Sequence, residues 1–334
     1  MNNELTNKTV LLIAPIYFDY EKEISKELTK RGARVLFIEE NIDYTNVFYK
    51  FVNKFPEPLR TNLRNKHFIN KINTIDEKVD YVFCIRINFF NDYILSFLRN
   101  KFNTAKFYLY YWDSCKNLLN AEKNSEYFDC VLTFDYHDAK KNEKKGWIFR
   151  PLFFVDKYDS FQSDDGDYDF DISYTATLSR ERADWCNKLK DYCNEKGLRL
   201  DVFLFSKKTI YFWNKKRYEE YTKLDSKYVS FRSLSSEELT RRIRKAKVVF
   251  DCSHSTQSGL TMRSIECIGA SKKMITTNTN IKNYDFYDPN NIMVIADGSL
   301  NGIDDFCMTS SKAIYSDEIR EKYSISGWVD DIFK

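Results

Sequence analysis

Glycine, proline and histidine are scarce in this chain of 334 residues, which contains 9, 5 and 3 of them. Because glycine is the residue that permits tight turns and close backbone approach, each one is worth locating. Gly259 and Gly269 fall in the same short segment. The eight cysteines include no C-x-x-C pair and lie mostly in apolar stretches, where a free thiol behaves as a small hydrophobe. Such cysteines predict a reducing, cytoplasmic location.

Other absences exclude several classes of protein. A net charge of +3 gives no sign of nucleic-acid binding, which usually needs a strongly basic domain. The apolar run 10–16 contains Pro15, is too short to span a membrane and lacks a cleavage site, so it predicts a first strand. A nicotinamide-dependent dehydrogenase would carry G-x-G-x-x-G after its first strand. Residues 13–19, IAPIYFD, occupy that place here and argue against this class. No D-x-D motif follows a strand, and the D-G-D at 165–167 lies in an acidic stretch, so no metal or other cofactor is expected.

Strand and helix patterns alternate along the whole chain. Strands are predicted at 9–15, 34–39, 81–86, 106–111, 130–134, 147–150, 171–175, 199–205, 248–250, 274–275 and 292–295, and helices at 21–31, 41–73, 92–99, 182–196, 235–247 and 316–333. The length favours two domains, and right-handed βαβ connections imply parallel sheets. We therefore predict an α/β protein with two Rossmann-like domains facing across a cleft. They span residues 1–155 and 170–315, joined by an acidic linker at 151–169, and a terminal helix at 316–334 could pack back on the first domain.

The segment 248–278 is the most informative part of the sequence. It reads as a buried strand, a polar turn, a helix that opens at Gly259 and a second strand that ends in Thr277 and Asn278. Glycine at a helix start allows backbone N–H groups to approach a phosphate closely. Glu266, further along that helix, could hydrogen-bond a sugar hydroxyl. The segment therefore predicts a nucleotide-sugar site.

The run DCSHSTQSGLTMRSIECIGASKKMITTNTNIKNYDFYDPNNI resembles the C-terminal signature of GT-B glycosyltransferases. Within that fold it is most similar to bacterial enzymes of capsule and lipopolysaccharide assembly related to the CgeB-like group. Many retaining members carry two glutamates spaced E-x7-E, the second of which binds the nucleotide ribose. The resemblance places Glu266 at the second position and Ser258 at the first. The sugar-side glutamate is thus missing, which leaves the stereochemistry open and favours an inverting reaction somewhat.

The predicted donor site draws on three loops. Its candidate residues are Arg180, Arg182, His254, Gln257, Ser258, Gly259, Leu260, Thr261, Arg263, Glu266, Thr277 and Asn278. Several have ordinary alternatives. Arg263 could pair with Glu266 one turn away instead of binding the diphosphate, and Glu266 itself could be a plain helix residue. Arg180 and Arg182 could be solvated loop residues, and His254 could be structural.

A general base for the acceptor hydroxyl is expected in the first half, at the ends of strands. The candidates are Asp19, Asp113 in YYWDS, and Asp135 or His137 in TFDYHD. Trp112 could raise the pKa of Asp113 by desolvation. An Asp after a strand is also ordinary turn chemistry, so none of the candidates is singled out.

The predicted function is metal-independent transfer of a sugar from a nucleotide-sugar, with UDP expected on frequency alone, to a surface-polysaccharide or lipid-linked glycan. Basic runs at 140–145 and 241–247 are solvated faces or contacts to the inner membrane surface. A nucleotide-sugar epimerase, a glycerophosphotransferase and a non-catalytic binding protein of the same fold remain alternatives. Failure to bind any nucleotide would favour the last of these.

Overall fold

In the computed structural model, residues 3–40, 55–163, 168–253, 258–295, 298–309 and 312–334 are described. The chain divides into two compact units. The first comprises Met1–Pro151 with Ser326–Lys334, and the second comprises Leu152–Ile325. Each unit is built on a six-stranded parallel sheet with helices in the connections. The predicted α/β class with two Rossmann-like domains is confirmed.

In the first unit, strands and helices alternate along the chain. Its strands are β1 Thr9–Ala14, β2 Arg34–Glu39, β3 Tyr81–Ile85, β4 Lys106–Tyr111, β5 Cys130–Thr133 and β6 Ile148–Phe149. Its helices are α1 Tyr20–Lys30, α2 Glu57–Asn73, α3 Asp92–Lys101, α4 Ala121–Asn124 and α5 Tyr136–Lys141. The sheet order is β2-β1-β3-β4-β5-β6. The central strands read as continuous apolar runs because both of their faces are buried. The part of the predicted helix 41–73 before residue 55 lies outside the described residues.

The second unit has the strand order β9-β8-β7-β10-β11-β12. Its strands are β7 Phe170–Thr177, β8 Leu200–Phe205, β9 Val229–Ser230, β10 Ala246–Asp251, β11 Lys273–Thr276 and β12 Ile292–Val294. Its helices are α6 Arg180–Lys196, α7 Lys208–Lys215, α8 Glu219–Lys223, α9 Ser236–Arg244, α10 Met262–Gly269, α11 Ile303–Met308 and α12 Asp317–Tyr323. Helix α9 begins at a capping box formed by Ser235 and Glu238. It ends earlier than its basic pattern predicts, since Ala246 and Lys247 already belong to β10.

The C-terminal segment contains two helices instead of one. Helix α13, Ile325–Ile332, follows α12 after an interruption at Ser324, whose backbone is extended. The break arises because Phe154 bonds the chain on both sides: its N–H donates to Tyr323 O at 2.9 Å, and its carbonyl accepts from Ile325 N at 2.8 Å. Trp328 of α13 is fully buried in the first unit, with its ring 4.9 Å from that of Tyr110.

The stretch 151–169 is not a loose linker in its described part. Leu152, Phe153, Phe154, Val155 and Tyr158 are all buried, and they belong to the second unit. Burial of these side chains removes apolar surface from water and so stabilises the folded second unit. Apart from Asp156, the acidic residues that suggested a linker follow Tyr158 in the sequence.

Gly269, at the end of α10, is a position where a side chain does not fit. A Cβ placed there would lie 2.5 Å from Cδ2 of the buried Phe154 ring. We expect Gly269→Ala to lower the free energy of unfolding by about 1–3 kcal/mol through overpacking, measured by urea denaturation. In the double variant Gly269→Ala/Phe154→Leu, the loss should be smaller than the sum of the two single losses, because the clashing ring is gone. Additive losses would show that the ring is not the cause.

Candidate functional site

The sheet order of the second unit defines where a ligand would bind. The first strand of this unit, β7, lies between β8 and β10, so the winding of the sheet reverses between β7 and β10. In open α/β sheets, ligands bind outside the carboxyl ends of the strands at this switch point. The loops that follow β7, β10 and β11 meet there, and these are the loops that the sequence singled out.

Arg182 joins the ends of β7 and β10. Its Nε and Nη2 donate to the carbonyl of Cys252 at 3.3 and 3.2 Å, and Nη1 donates to the carbonyl of Thr177 at 2.9 Å. Arg182 lies in the first turn of α6, which is capped by the Ser179 side chain. Arg180 takes another course, since its guanidinium bonds Glu220 at 2.9 Å. The structure therefore brings Arg182 to the switch point and pairs the exposed Arg180 with the partly buried carboxylate of Glu220.

Helix α10 begins at Met262, three residues after its predicted start at Gly259. Thr261 is its N-cap, so Gly259 and Leu260 lie in the loop before it. Asp251, at the end of β10, fixes this start: its Oδ2 accepts from the hydroxyls of Thr261 at 2.8 Å and Ser264 at 2.7 Å. Sequence reasoning missed Asp251. Its signal was an acid directly after the buried run VVF, where a carboxylate needs hydrogen-bond donors.

Side chains that follow β11 hold the loop after β10 on both sides. Asn278 Nδ2 donates to the carbonyl of Gly259 at 3.2 Å, and Asn280 Nδ2 donates to that of Ser258 at 3.3 Å. On the other side, Thr277 Oγ1 accepts from the backbone N–H of Ser253 at 3.2 Å. In the structure Thr277 and Asn278 shape this loop, and their predicted contact with the donor stays a prediction. The predicted site residues His254 and Gln257 lie outside the described residues.

Glu266 is a buried ion-pair partner. The side chain is 1% exposed and that of Arg263 13%; Arg263 Nη1 lies 2.6 Å from Glu266 Oε2. The hydroxyl of Tyr158 donates to Glu266 Oε1 at 2.7 Å. Burial and the negative charge of Glu266 raise the pKa of Tyr158 well above its ordinary value. Of the two alternatives for Arg263, the structure contains the pair with Glu266. Because the pair is buried, removing one partner should lower the free energy of unfolding more than it would in an exposed i,i+3 pair.

The switch point of the first unit lies between β1 and β3. Phe18 and Asp19 after β1, and Arg86 after β3, all have positive φ (50°, 63° and 70°). Backbone strain of this kind is concentrated at functional sites. Tyr17 is exposed here, and its ring lies 6.4 Å from that of Trp112, which follows β4.

The candidate bases differ in their surroundings. Asp113 forms an ion pair with Arg86, with Oδ2 2.8 Å from Nε. Burial raises the pKa of Asp113, and the charge of Arg86 offsets part of this rise. Asp19 is half exposed and pairs with Lys22. Asp135 caps α5 by accepting from the N–H groups of His137 and Asp138, and the His137 side chain is exposed.

Glu40 is a buried carboxylate that sequence reasoning missed. It follows β2, and its Oε1 accepts from the N–H groups of Asn88 and Phe89 at 2.6 and 2.7 Å. Burial raises its pKa, and those two hydrogen bonds oppose the rise. The only signal in the sequence was a second glutamate directly after the strand RVLFIE. Its contacts fix the loop after β3, the loop that carries Arg86.

Within the described ranges, no group of three or more His, Cys, Asp or Glu side chains is arranged to hold a metal ion. None of the helices in these ranges has the length and apolar character required to cross a bilayer.

Comparison with solved structures finds the same architecture at low sequence identity. The lipopolysaccharide outer core galactosyltransferase WaaB in its apo form is 12% identical over 97% of this chain and 98% of its own, with a TM-score of 0.57. Anabaena HepE, solved with UDP and glucose, is 10% identical over 96% of this chain and 98% of its own, with a TM-score of 0.56. A Listeria monocytogenes protein described as a UDP-N-acetylglucosamine 2-epimerase is 10% identical over 98% and 95%, with a TM-score of 0.50.

These similarities establish the class of fold. The chain has the GT-B fold, with two Rossmann-like domains that each carry a parallel sheet. No protein-family model matches the sequence, and no curated protein matches it either.

Proposed function

We propose that the protein is a glycosyltransferase that moves a sugar from a nucleotide-sugar to a glycan acceptor. The observation that carries this proposal is the switch point of the second unit, where three loops are tied together around the starts of α6 and α10. Loops fixed in this way present a preformed surface to a ligand and lower the entropic cost of binding. WaaB and HepE, which share the fold, are a galactosyltransferase and a protein that was solved with UDP and glucose.

The donor diphosphate would be neutralised without a metal. Helix α6 runs for 17 residues from the end of β7, and its N-terminus carries partial positive charge. Arg182 holds the carbonyls of Thr177 and Cys252, so it shapes the phosphate loop as well as adding charge. Arg263 and Glu266 then position α10, with Glu266 as the proposed ribose contact. UDP is the proposed nucleotide.

The acceptor would bind the first unit, where Asp113 is the proposed base. A base must take the hydroxyl proton as the acceptor attacks the anomeric carbon of the donor sugar. Asp113 stands at a strand end beside Trp112 and is held by Arg86, whereas Asp19 and His137 lie in exposed positions. A surface-polysaccharide or lipid-linked glycan, as in the CgeB-like group, is the proposed acceptor, used at the cytoplasmic face of the membrane.

Nucleotide binding provides the direct test. We expect one of UDP, GDP, dTDP and CMP to raise the melting temperature selectively, and at a hundredfold excess over Kd the stabilisation is about 2.7 kcal/mol. The variant Arg182→Ala should bind that nucleotide about tenfold more weakly, because two loop carbonyls lose a charged donor. Lys188→Gln on the exposed side of α6 is the matched control.

Three outcomes would contradict the proposal. If none of the four nucleotides changes the melting temperature, the donor site is absent and a non-catalytic protein is favoured. If nucleotide is released from UDP-sugar when no glycan is present, an epimerase is favoured. If Arg182→Ala and Lys188→Gln weaken binding equally, the nucleotide does not bind at this switch point.

A further inference from the structure

The second unit carries an exposed aromatic surface that the proposed reaction does not use. Helix α7 is anchored by the buried Tyr211, while Ile210, Phe212 and Trp213 are 48%, 49% and 53% exposed. Phe231, which follows β9 and is 45% exposed, extends the surface, with its ring 6.1 Å from that of Phe212. Large apolar side chains that are exposed together on one helix and on the neighbouring loop are typical of a site of interaction. We call these four exposed residues the aromatic face.

Basic residues precede and follow the apolar residues of α7 along the chain. Residues 206–217 contain five basic side chains and no acid, namely Lys207, Lys208, Lys215, Lys216 and Arg217. Among the described residues, none of the five lies within ion-pair distance of a carboxylate. Arg217 lies over the Trp213 ring at 3.5 Å, and Lys215 lies 5.7 Å from the Tyr211 ring.

The two basic runs at 140–145 and 241–247, for which membrane contact was one of two alternatives, differ from this segment because several of their cations are paired with carboxylates. In the run 241–247, Arg242 pairs with Asp201, and Lys247 pairs with Asp171 at 2.8 Å. In the run 140–145, Lys141 pairs with Glu122 and Lys145 with Glu126. Their charges are partly neutralised, and no large exposed aromatic group in the described chain accompanies the run 241–247. Tyr136 is also exposed, beside the run 140–145. Helix α7 differs in that it combines three exposed apolar side chains with neighbouring cations that lie outside ion-pair distance of any carboxylate in the described chain.

We propose that the aromatic face binds the surface of an anionic phospholipid bilayer. Tryptophan and phenylalanine favour the headgroup boundary, and lysine stems can lie along apolar surface while the ammonium groups reach lipid phosphates. A protein partner is disfavoured because the cores of protein interfaces are depleted in lysine, whereas four lysines border this face.

The position of the aromatic face suits an enzyme whose acceptor is lipid-linked. Helix α7 begins just after β8, and Phe231 comes just after β9. Backbone hydrogen bonds from Leu178 to Phe205 (2.7 Å) and from Ser206 to Ser230 (3.0 Å) show that the carboxyl ends of β7, β8 and β9 are side by side. The face therefore lies at the same edge of the sheet as the Arg182 loop. The lipid-binding surface itself is independent of the donor site.

Vesicle co-sedimentation of the full chain tests the proposal. We expect binding to vesicles in which about three-tenths of the lipid is phosphatidylglycerol, weak binding to pure phosphatidylcholine, and loss of binding at high salt. Lys207→Gln and Lys216→Gln should each weaken binding about fivefold. Trp213→Ser should weaken it about tenfold, since its apolar surface no longer inserts. Matched controls are Lys223→Gln and Ile314→Ser, the latter 83% exposed elsewhere in the unit.

Several results would overturn the proposal. One is equal binding to neutral and anionic vesicles; another is an equal effect of the control substitutions. If the chain self-associates without lipid and Trp213→Ser abolishes this, the face binds a second copy instead. Melting temperatures with and without nucleotide show whether each variant is folded and whether the donor site is intact, so failure of lipid binding is distinguishable from failure of the proposed reaction.

Discussion

Replacing Glu266 with alanine is expected to lower the free energy of unfolding by about 3–5 kcal/mol, because it leaves a buried charge without its partner. Arg263 would remain with its guanidinium 13% exposed, and the Tyr158 hydroxyl would lose its acceptor. A buried donor that loses its acceptor bears the full cost of desolvation. Urea denaturation followed by circular dichroism measures the loss.

A triple variant provides the control for this first prediction. Arg263→Met/Glu266→Leu/Tyr158→Phe removes the ion pair and the hydrogen bond from Tyr158 together, and it should be much more stable than Glu266→Ala alone. If the triple variant is as unstable as Glu266→Ala, the loss comes from packing and not from the unpaired groups.

Nucleotide affinity separates the structural role of Glu266 from its proposed contact with ribose. Glu266→Gln keeps the length of the side chain and an oxygen for Tyr158, so it should fold, but a neutral amide is a weaker acceptor for ribose hydroxyls. We expect weaker binding of UDP to this variant. Wild-type affinity in both Glu266→Gln and the triple variant would show that Glu266 acts only in stabilising α10.

Replacing Asp113 with asparagine is expected to lower kcat by about 10²–10⁴-fold, the usual contribution of a general base. The melting temperature should change little, because Asp113 is a third exposed and its partner Arg86 can reach solvent. The assay is glycosyl transfer at saturating donor and acceptor. Asp19→Asn and His137→Gln, at two of the other candidate bases, are the comparison. A larger effect of either one would remove Asp113 from this role.

The pH dependence of the reaction gives an independent reading of Asp113. A base acts when it is ionised, so kcat should fall as the pH drops through the pKa of Asp113, which burial raises. Arg86 lowers that pKa by its positive charge. In Arg86→Met the pKa should therefore rise further, and the acid limb of the profile should move to higher pH. An unchanged acid limb would show that another group titrates.

The donor loops show how far sequence reasoning reached. Gly259, Thr261 and Asn278 were expected together because they follow neighbouring strands of one parallel sheet, and the hydrogen bond from Asn278 to Gly259 places two of them in contact. The start of α10 was placed too early, at Gly259, because the apolar spacing continues through Leu260. The cap at Thr261 depends on Asp251, ten residues earlier, and no local pattern displays that bond.

The sequence by itself determined the elements of this protein and their class. Apolar runs and helical spacing are local properties, since a strand or a helix buries a face set by the residues within it. Alternation of the two elements then leaves few topologies other than parallel sheets. These features were sufficient to predict two Rossmann-like domains and the loops that meet at the switch point of the second unit.

Only the tertiary structure decided what the buried polar residues do. The sequence predicts Glu266 as a ribose ligand. In the structure its carboxylate also accepts a hydrogen bond from Tyr158, which is 108 positions away. The role of Glu40 depends on the loop after β3, whose Asn88 donates to it from 48 residues along the chain. Partners so far apart are chosen by the packing of whole elements, and a buried carboxylate accepts whichever donors that packing supplies.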